Sequence, residues 1–99
     1  MRLSDKVYEL VTKIPEGKVT TYSELAKAVG QPKASRLIGF ILNRNPDPVI
    51  VPCHRVVKSN GDLGGYAYGS KTKMKLLEKE GLKVSKGKIV NFKKVNFDF

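Results

Sequence analysis

The only cysteine and the only histidine of this 99-residue chain are neighbours, Cys53 and His54. One cysteine cannot form an internal disulfide, and one cysteine with one histidine falls short of the four protein ligands of a closed zinc site. Cys53 is then either an inert core thiol, as lone buried cysteines usually are, or a nucleophile. A cationic neighbour such as His54 or Arg55 would favour the thiolate, which is the nucleophilic form. We expect no metal site and no cofactor.

The residues just before Cys53 should determine how its thiol is presented. A stiff loop over 45–48 leads into Val49, Ile50 and Val51, which are apolar and predict a short buried strand. Pro52 cannot donate a ladder hydrogen bond, so the strand should end there and place Cys53 at its exit. In an extended backbone Cys53 and the next side chain would point to opposite faces. Contact between thiol and imidazole therefore requires a turn, or else a bridging water.

The first helix is predicted over about residues 5 to 14. Ser4 can cap its start, and Pro15 with Gly17 ends it. Helical spacing puts four apolar residues on one inward face: Val7, Leu10, Val11 and Ile14. A short extended piece over 18–20 follows.

Two further helices form a predicted helix-turn-helix over about residues 21 to 45. Thr21 and Glu24 have the spacing of a capping box, Gly30 closes the second helix, and Pro32 suits the first turn of the third. The third helix has a predicted buried stripe of Ala34, Leu37, Ile38 and Ile41. Arg36, Gly39 and Asn43 lie on a different, small and polar face. Such a pair of helices suits nucleic-acid binding, although many helical hairpins bind nothing.

The segment after the cysteine should contain a hairpin, a loop and a helix. Asn60-Gly61 is a strong turn signal and predicts a β-ribbon or wing. Residues 64–69 read as a flexible aromatic loop, without the spacing of a phosphate-binding motif. A helix should run from Ser70 to a stop at Gly81. Glu80 falls at its C-terminal end, where the helix dipole disfavours a carboxylate, so it is either simply solvated or paired with His54.

The composition points to an anionic partner. Nineteen Lys and Arg against nine Asp and Glu give a net charge of +10, which favours nucleic acid as partner, the alternative being a merely basic surface. Residues 82–99 mix lysines with apolar residues and should form an extended segment packed on the domain. We expect one small domain over 1–99, monomeric and intracellular, in a reducing compartment, with no membrane segment.

Five segments together resemble the 6-O-alkylguanine-DNA alkyltransferases, the direct-reversal DNA repair proteins. The most specific is Pro52-Cys53-His54-Arg55-Val56, which matches the active-site motif of that family. The other matching segments, in the family's order, are residues 21–26, residues 32–36, residues 43–46, and residues 65–69 followed later by Glu80-Gly81. The resemblance implies a mainly α fold with small β elements, a winged helix-turn-helix-like catalytic domain with its active-site segment at 49–57. It also implies double-stranded DNA containing 6-O-alkylguanine as partner.

The resemblance also implies a role for each matching residue. Cys53 would accept the alkyl group in a single displacement, with His54 as its base through a water and Glu80 as the orienting carboxylate. Tyr22 would protonate the departing guanine, Asn45 would brace the active-site segment, and Arg36 would fill the gap left by the flipped base. The base pocket would comprise Arg55, Val56, Tyr66 and Ala67. The DNA contacts would comprise Tyr22, Ala34, Ser35, Arg36, Gly39 and Asn43.

Two departures from the family pattern keep other hypotheses open. The separate N-terminal domain of most members is missing from this chain, and Ala67 stands where the tyrosine loop usually has a serine. The short alkyltransferase-like proteins bind damage without repairing it and have a different residue at the cysteine position. The alternatives to a stoichiometric, single-turnover alkyltransferase are therefore a lesion-binding protein without enzymatic activity and a plain basic winged-helix module. The presence of Cys53 favours repair.

Overall fold

Five helices and two small sheets make up the part of the chain that the computed structural model describes, residues 2–47 and 50–99. The helices are α1 (Leu3–Thr12), α2 (Tyr22–Ala28), α3 (Ser35–Asn43), α4 (Ser70–Lys79) and α5 (Phe92–Val95). The strands are β1 (Thr20–Thr21), β2 (Val56–Val57), β3 (Val84–Ser85) and β4 (Lys88–Ile89), and a 3-10 turn covers Cys53–Arg55. The predicted class, mainly α with small β elements, is confirmed.

The first helix buries the predicted face but starts earlier than predicted. Val7, Val11 and Ile14 are fully buried. Ser4 lies inside α1, and the helix is capped two residues earlier, where the Arg2 backbone N–H donates to the Asp5 carboxylate at 3.2 Å. A carboxylate at the third helical position can take over this role from a capping hydroxyl, so the prediction of Ser4 as the cap is wrong.

The helix-turn-helix forms with one shift in its second helix. The Thr21 hydroxyl accepts from the Glu24 backbone N–H at 3.0 Å, which confirms the predicted cap of α2. Pro32 lies in the turn before α3 and not in its first turn, and Leu37 is 43% exposed. The buried stripe is instead Ile38, Ile41 and Leu42. These three fit the i, i+3, i+4 spacing of one face, whereas a residue next to Ile38 is turned about 100° away.

A two-residue parallel ladder connects the helix-turn-helix to the cysteine segment. Thr20 pairs with Val56 and Thr21 with Val57. Successive side chains of a strand point to opposite faces, so Val56 packs in the core of α1, α2 and α3, while Val57 packs in a second core with Leu77 and Ile89. This ladder places the start of α2 beside the active-site motif.

The strand predicted before Cys53 is not formed. Val49 lies outside the described residues, and Ile50 is 68% exposed in a turn. Two side chains fold this loop instead: the Asp47 carboxylate accepts from the Ile50 N–H at 3.2 Å, and the Asn45 amide donates to the Val51 carbonyl at 2.8 Å. Local bonding by Asn and Asp side chains competes with strand formation, and the apolar run could not reveal it.

The C-terminal segment completes the small β elements. The turn at Asn60-Gly61 forms, with Gly61 at φ +92°, but the chain after it pairs with β4 through an Asp62–Lys88 bridge. The hairpin of β3 and β4 therefore supplies the ribbon. Residues 82–99 are packed on the domain as predicted, although they contain α5 as well as extended pieces. Among the described residues, no helix is long and apolar enough to cross a membrane.

Candidate active site

Cys53 leaves a tight turn and enters the first core. Pro52, at φ −77° and ψ 69°, has the geometry of an inverse γ-turn, and the Cys53 N–H donates to the Val51 carbonyl at 2.7 Å. The same carbonyl accepts from the buried Asn45 amide, whose oxygen accepts from the Asp47 N–H at 3.0 Å. Asn45 therefore connects the loop between α3 and Cys53 through these two hydrogen bonds, and its role in the reaction stays a prediction. Cys53 as a whole residue is 6% exposed.

Glu80 is not solvated but paired with His54. The 3-10 turn brings the buried imidazole toward the end of α4, where Nε2 lies 2.8 Å from Oε2 of Glu80. Arg55 reaches the same carboxylate from its other side, with Nη2 at 2.7 Å from Oε2 and Nε at 2.9 Å from Oε1. Arg55 also donates to the Ile14 carbonyl at 2.7 Å, so it anchors the carboxylate to the end of the first helical region.

The surroundings of His54 and Glu80 lower the pKa values of both groups. Burial lowers the pKa of His54 below its ordinary value; the hydrogen bond and charge of Glu80 raise it without outweighing burial, and the charges of Arg55 and Lys73 lower it. Burial alone would raise the pKa of Glu80, but hydrogen bonds from Arg55 and His54, with their charges, outweigh it and lower the pKa. At neutral pH the site therefore holds a neutral imidazole and an ionised carboxylate.

The second ring nitrogen of His54 is available as a proton acceptor. A carboxylate can only accept, so Nε2 carries the ring proton and Nδ1 has the lone pair. Nδ1 is buried and makes no hydrogen bond to any group of the described chain. Buried polar atoms without a partner are uncommon and occur at functional sites. An oriented base of this kind, next in sequence to a thiol, is the arrangement expected for an activated nucleophile.

A narrow cavity of about 20 Å³ opens onto Cys53. Its lining includes two of the four predicted pocket residues and three predicted DNA contacts: Tyr22, Gly39, Leu42, Asn43, Cys53, Gly65, Tyr66 and Ala67. The Tyr22 hydroxyl donates to the Gly65 carbonyl at 3.4 Å, and burial raises the pKa of Tyr22. A cavity of this volume holds about one water. A purine base is much larger than a water, so the lining would have to move for a base to enter.

Two predicted pocket residues have other contacts. Arg55 does not line this cavity, because its guanidinium is engaged with Glu80 and Ile14. The backbone of Val56 is also engaged: its N–H donates to the Cys53 carbonyl and its carbonyl accepts from Lys73. Of the four predicted pocket residues, the structure brings Tyr66 and Ala67 to the cysteine.

Lys73 is the site residue that the sequence interpretation missed. It is fully buried, and its Nζ donates to the Val56 carbonyl at 2.6 Å and to the Gly65 carbonyl at 3.0 Å. The ammonium lies 5.8 Å from the centre of the Tyr22 ring. Burial lowers the pKa of Lys73 to about 8. Its position next to Met74 and four residues before Leu77, on the inward stripe of α4, was the signal that could have identified it.

The outer surface of the helix-turn-helix is basic. Arg36 is exposed, Ser35 is partly exposed, and both border a cavity of about 410 Å³ with Lys58 and Tyr22. None of the residues lining this cavity is acidic. Ala34 lies at the N-cap position of α3, at the same end.

Within residues 2–47 and 50–99, no group of three His, Cys, Asp or Glu could hold a metal ion.

Comparison with known proteins assigns the chain to a family. The model of the 6-O-methylguanine DNA methyltransferase DNA-binding domain matches residues 2–82. A methylated-DNA–protein-cysteine methyltransferase of Methanosarcina acetivorans is 52% identical over 75 residues, covering 76% of this chain and 48% of the relative. A bifunctional methyltransferase/endonuclease of Thermoplasma volcanium is 44% identical over 93 residues, covering 92% and 29%. The chain thus spans about half or less of the length of these relatives.

Solved structures have the same fold. S. pombe Atl1, in complex with damaged DNA containing O6-carboxymethylguanine, superposes over all of both chains with a TM-score of 0.87 and 31% identity. Mycobacterium tuberculosis OGT in complex with DNA matches 81% of this chain and 50% of its own, with a TM-score of 0.77 and 39% identity. With a family model matched over most of its length and relatives that share its fold, the chain belongs to the 6-O-methylguanine DNA methyltransferase family through that family's DNA-binding domain.

Proposed function

We propose that this protein repairs DNA by transferring the alkyl group of 6-O-alkylguanine to Cys53, once per molecule. The observation that carries the proposal is the His54 imidazole. One nitrogen is fixed by the Glu80 carboxylate at 2.8 Å, and the other is buried without a partner among the described residues. The imidazole belongs to the residue that follows the cysteine in the sequence. A carboxylate that holds an imidazole in its base-competent tautomer is the logic of hydrolytic triads.

The thiol proton passes to Nδ1 of His54 through a bridging water. The resulting thiolate attacks the alkyl carbon, so a bond from Sγ to that carbon forms while the bond from the carbon to O6 of guanine breaks. The electron pair of the broken bond stays on the guanine, which takes a proton from the Tyr22 hydroxyl. The proton held by His54 then restores Tyr22, and the products are a thioether and an unmodified guanine.

The environment of Tyr22 supports its role as the proton donor. Burial raises the pKa of its hydroxyl, so the group is protonated at neutral pH. Its contacts with Gly65 at 3.4 Å and with the Lys73 ammonium at 5.8 Å hold it at the edge of the Cys53 cavity. A neutral hydroxyl there can give its proton to the leaving base.

The target base must leave the duplex to reach this cavity. A duplex hides the reacting carbon, so the nucleotide has to be extruded, at a cost of a few kcal/mol that is smallest for a poorly paired base. Arg36 is exposed at the start of α3 and can fill the vacated space. Movement of the 64–69 loop, which has positive φ at Gly64 and Gly69, would open the pocket. Glycine carries such angles without strain.

Intact-mass spectrometry with duplex DNA containing 6-O-methylguanine tests the proposal. We expect one added methyl group per chain, on the peptide that contains Cys53. Cys53→Ala should gain no mass while its affinity for the same duplex stays within a few-fold, because the α3 surface and the thiol lie on different segments. Methyl transfer to Cys53→Ala would disprove the assignment of the nucleophile.

A second candidate is lesion binding without transfer. The superposition on S. pombe Atl1, solved with damaged DNA, extends over all of both chains and favours it. The mass experiment separates the two functions, since a lesion-binding protein would retain the methylated duplex and gain no mass. An oriented imidazole whose Nδ1 has no partner among the described residues is not needed by a protein that only binds, and we therefore place transfer first.

A further inference from the structure

The outer face of α3 carries a large aromatic side chain. Phe40 is 57% exposed, and Leu37, three residues earlier on the helix, is 43% exposed. Phe40 is four residues after Arg36 and four before Arg44, so the three side chains form one stripe along the helix. The Arg44 guanidinium lies 5.0 Å from the centre of the Phe40 ring.

Phe40 has no packing role in the described core. The buried side of α3 is formed by Ile38, Ile41 and Leu42, and Phe40 is not among the partly buried residues that pack against them. An exposed phenylalanine in the middle of a functional helix face gains no folding free energy from burial. Large exposed apolar groups in a polar surround instead mark contact sites.

The charges around Phe40 identify the kind of partner. The flanking Arg36 and Arg44 are cationic, and α3 contains no acidic residue. A second copy of this chain docked symmetrically on the same face would bring like charges together, which opposes self-association. A polyanion that also offers flat apolar surfaces between its charged edges satisfies both features, and duplex DNA is that kind of molecule.

We propose that Phe40 is a wedge that inserts between stacked bases of the bound duplex, at a second position beyond the gap filled by Arg36. This rests on the proposed DNA-repair function. Some proteins that bend DNA insert apolar side chains such as phenylalanine between base steps and kink the duplex there. Four residues of helix span about 6 Å, and stacked bases are about 3.4 Å apart. Phe40 therefore reaches a step about two base pairs from the extruded nucleotide.

The insertion gives the two side chains different tasks. Arg36 replaces the missing base at the lesion, while Phe40 unstacks a neighbouring step and bends the duplex away from α3. The Arg44 cation beside the ring is positioned to contact the phosphates that flank the opened step. Bending at a second point makes extrusion at the first easier, because the strand is already distorted on one side.

The test uses duplexes with 6-O-methylguanine and a fluorescent 2-aminopurine at each step on either side of it. In Cys53→Ala, which holds the lesion without reacting, we expect enhanced 2-aminopurine emission at a step about two base pairs from the lesion. Adding Phe40→Ala should abolish this emission and weaken duplex binding about tenfold, equivalent to about 1.4 kcal/mol. Phe40→Leu, which keeps an apolar wedge, should retain most of both signals.

Leu37→Ala is the matched control, because it also removes an exposed apolar side chain from α3 but is turned about 60° around the helix from Phe40. It should leave the emission unchanged. In the Cys53-containing chain, Phe40→Ala should react normally with free 6-O-alkylated guanine base, whose transfer needs no unstacking, and more slowly with duplex.

The outcomes distinguish this inference from the function on which it rests. If the parent chain transfers methyl groups but Phe40→Ala shows the same emission and affinity, the wedge is disproved and the repair function stands. If Phe40→Ala instead abolishes self-association in sedimentation experiments, the patch is a protein contact and the wedge is wrong. If the parent chain neither binds nor repairs methylated duplex, the proposed function fails and the wedge with it.

Discussion

Glu80→Gln removes one negative charge and almost no volume, and it isolates the contribution of the carboxylate. In the native protein this group accepts from His54 and from Arg55, with side-chain exposures of 9% for Glu80 and 17% for Arg55. The substitution leaves the Arg55 cation largely buried without its counter-charge. The new amide can also donate to Nε2 of His54, which would move the ring proton to Nδ1 and remove the proton acceptor.

Two magnitudes follow from these contacts. Removing one partner of a buried ion pair costs about 3–5 kcal/mol. The glutamine oxygen still accepts one hydrogen bond from Arg55, so we expect a loss at the lower end, about 3 kcal/mol. For a domain of this size each kcal/mol shifts the melting temperature by about 4–8 °C, which predicts a drop of about 12–24 °C. Loss of the general base should slow methyl transfer by about 10²–10⁴-fold.

Circular dichroism melting at pH 7.5 and single-turnover transfer, both below the melting temperature of the variant, measure the two effects. Glu78→Gln is the matched control, because Glu78 is exposed near the same end of α4 and its removal changes the net charge equally. It should shift the melting temperature by only a few degrees and leave transfer unchanged. A Glu80→Gln variant that behaves like Glu78→Gln would refute the assignment of the carboxylate as the group that orients His54.

Three further predictions concern pH, Lys73 and the alkylated product. Folding lowers the pKa of His54 from 6.5 and that of Glu80 from 4.5, so the unfolded chain binds more protons than the folded chain. The free energy of unfolding should therefore fall as the pH drops below 6.5 and fall again below 4.5. Urea titrations should show that the first of these two decreases is missing in His54→Asn. Lys73→Met should leave the Val56 and Gly65 carbonyls without their hydrogen-bond donor. We expect faster hydrogen exchange in the 64–69 loop and methyl transfer that is slower by about tenfold. The control Lys71→Met, at an exposed position of α4, should change neither rate. The pKa of Lys73 near 8, below 10.5, also predicts that stability rises with pH between these values in the native chain and not in Lys73→Met. Methylation of Cys53 should stop at one group per chain and lower the stability by about 1–3 kcal/mol, because the added group crowds the narrow cavity between Cys53 and α3. Multiple turnover would contradict the single-use mechanism.

Local signals in the sequence were sufficient to predict much of the helical framework. The Thr21 cap, the stop at Gly30 and the buried residues Val7 and Ile38 depend on side chains within a turn or two of each other. Such interactions are encoded in short segments, so periodicity and capping patterns reveal them. From its helix position alone, Glu80 could be either solvated or paired with His54. The structure shows the hydrogen-bonded pair.

The errors arose where distant or side-chain-specific contacts decide the structure. The predicted strand through Ile50 is displaced by hydrogen bonds from Asn45 and Asp47, which no apolar pattern contains. Arg55 turns to Glu80 because a partner 25 residues away is there to receive it. Lys73 is buried because two backbone carbonyls from separate segments converge on its ammonium, and this convergence exists only in the folded chain.

The parallel pairing of β1 with β2, and the bridge from Val19 to Asn96, have a consequence for biosynthesis. The His54 imidazole is held by Glu80, 26 positions further along the chain, and β1 is flanked by a segment from the opposite end of the described residues. Contacts so distant in sequence form late, since the chain must first close long loops. A nascent chain on the ribosome that has not yet extended to Glu80 therefore carries a thiol without an oriented base. On the proposed mechanism, the thiol of such a nascent chain reacts more slowly with stray electrophiles than the thiol of the folded protein.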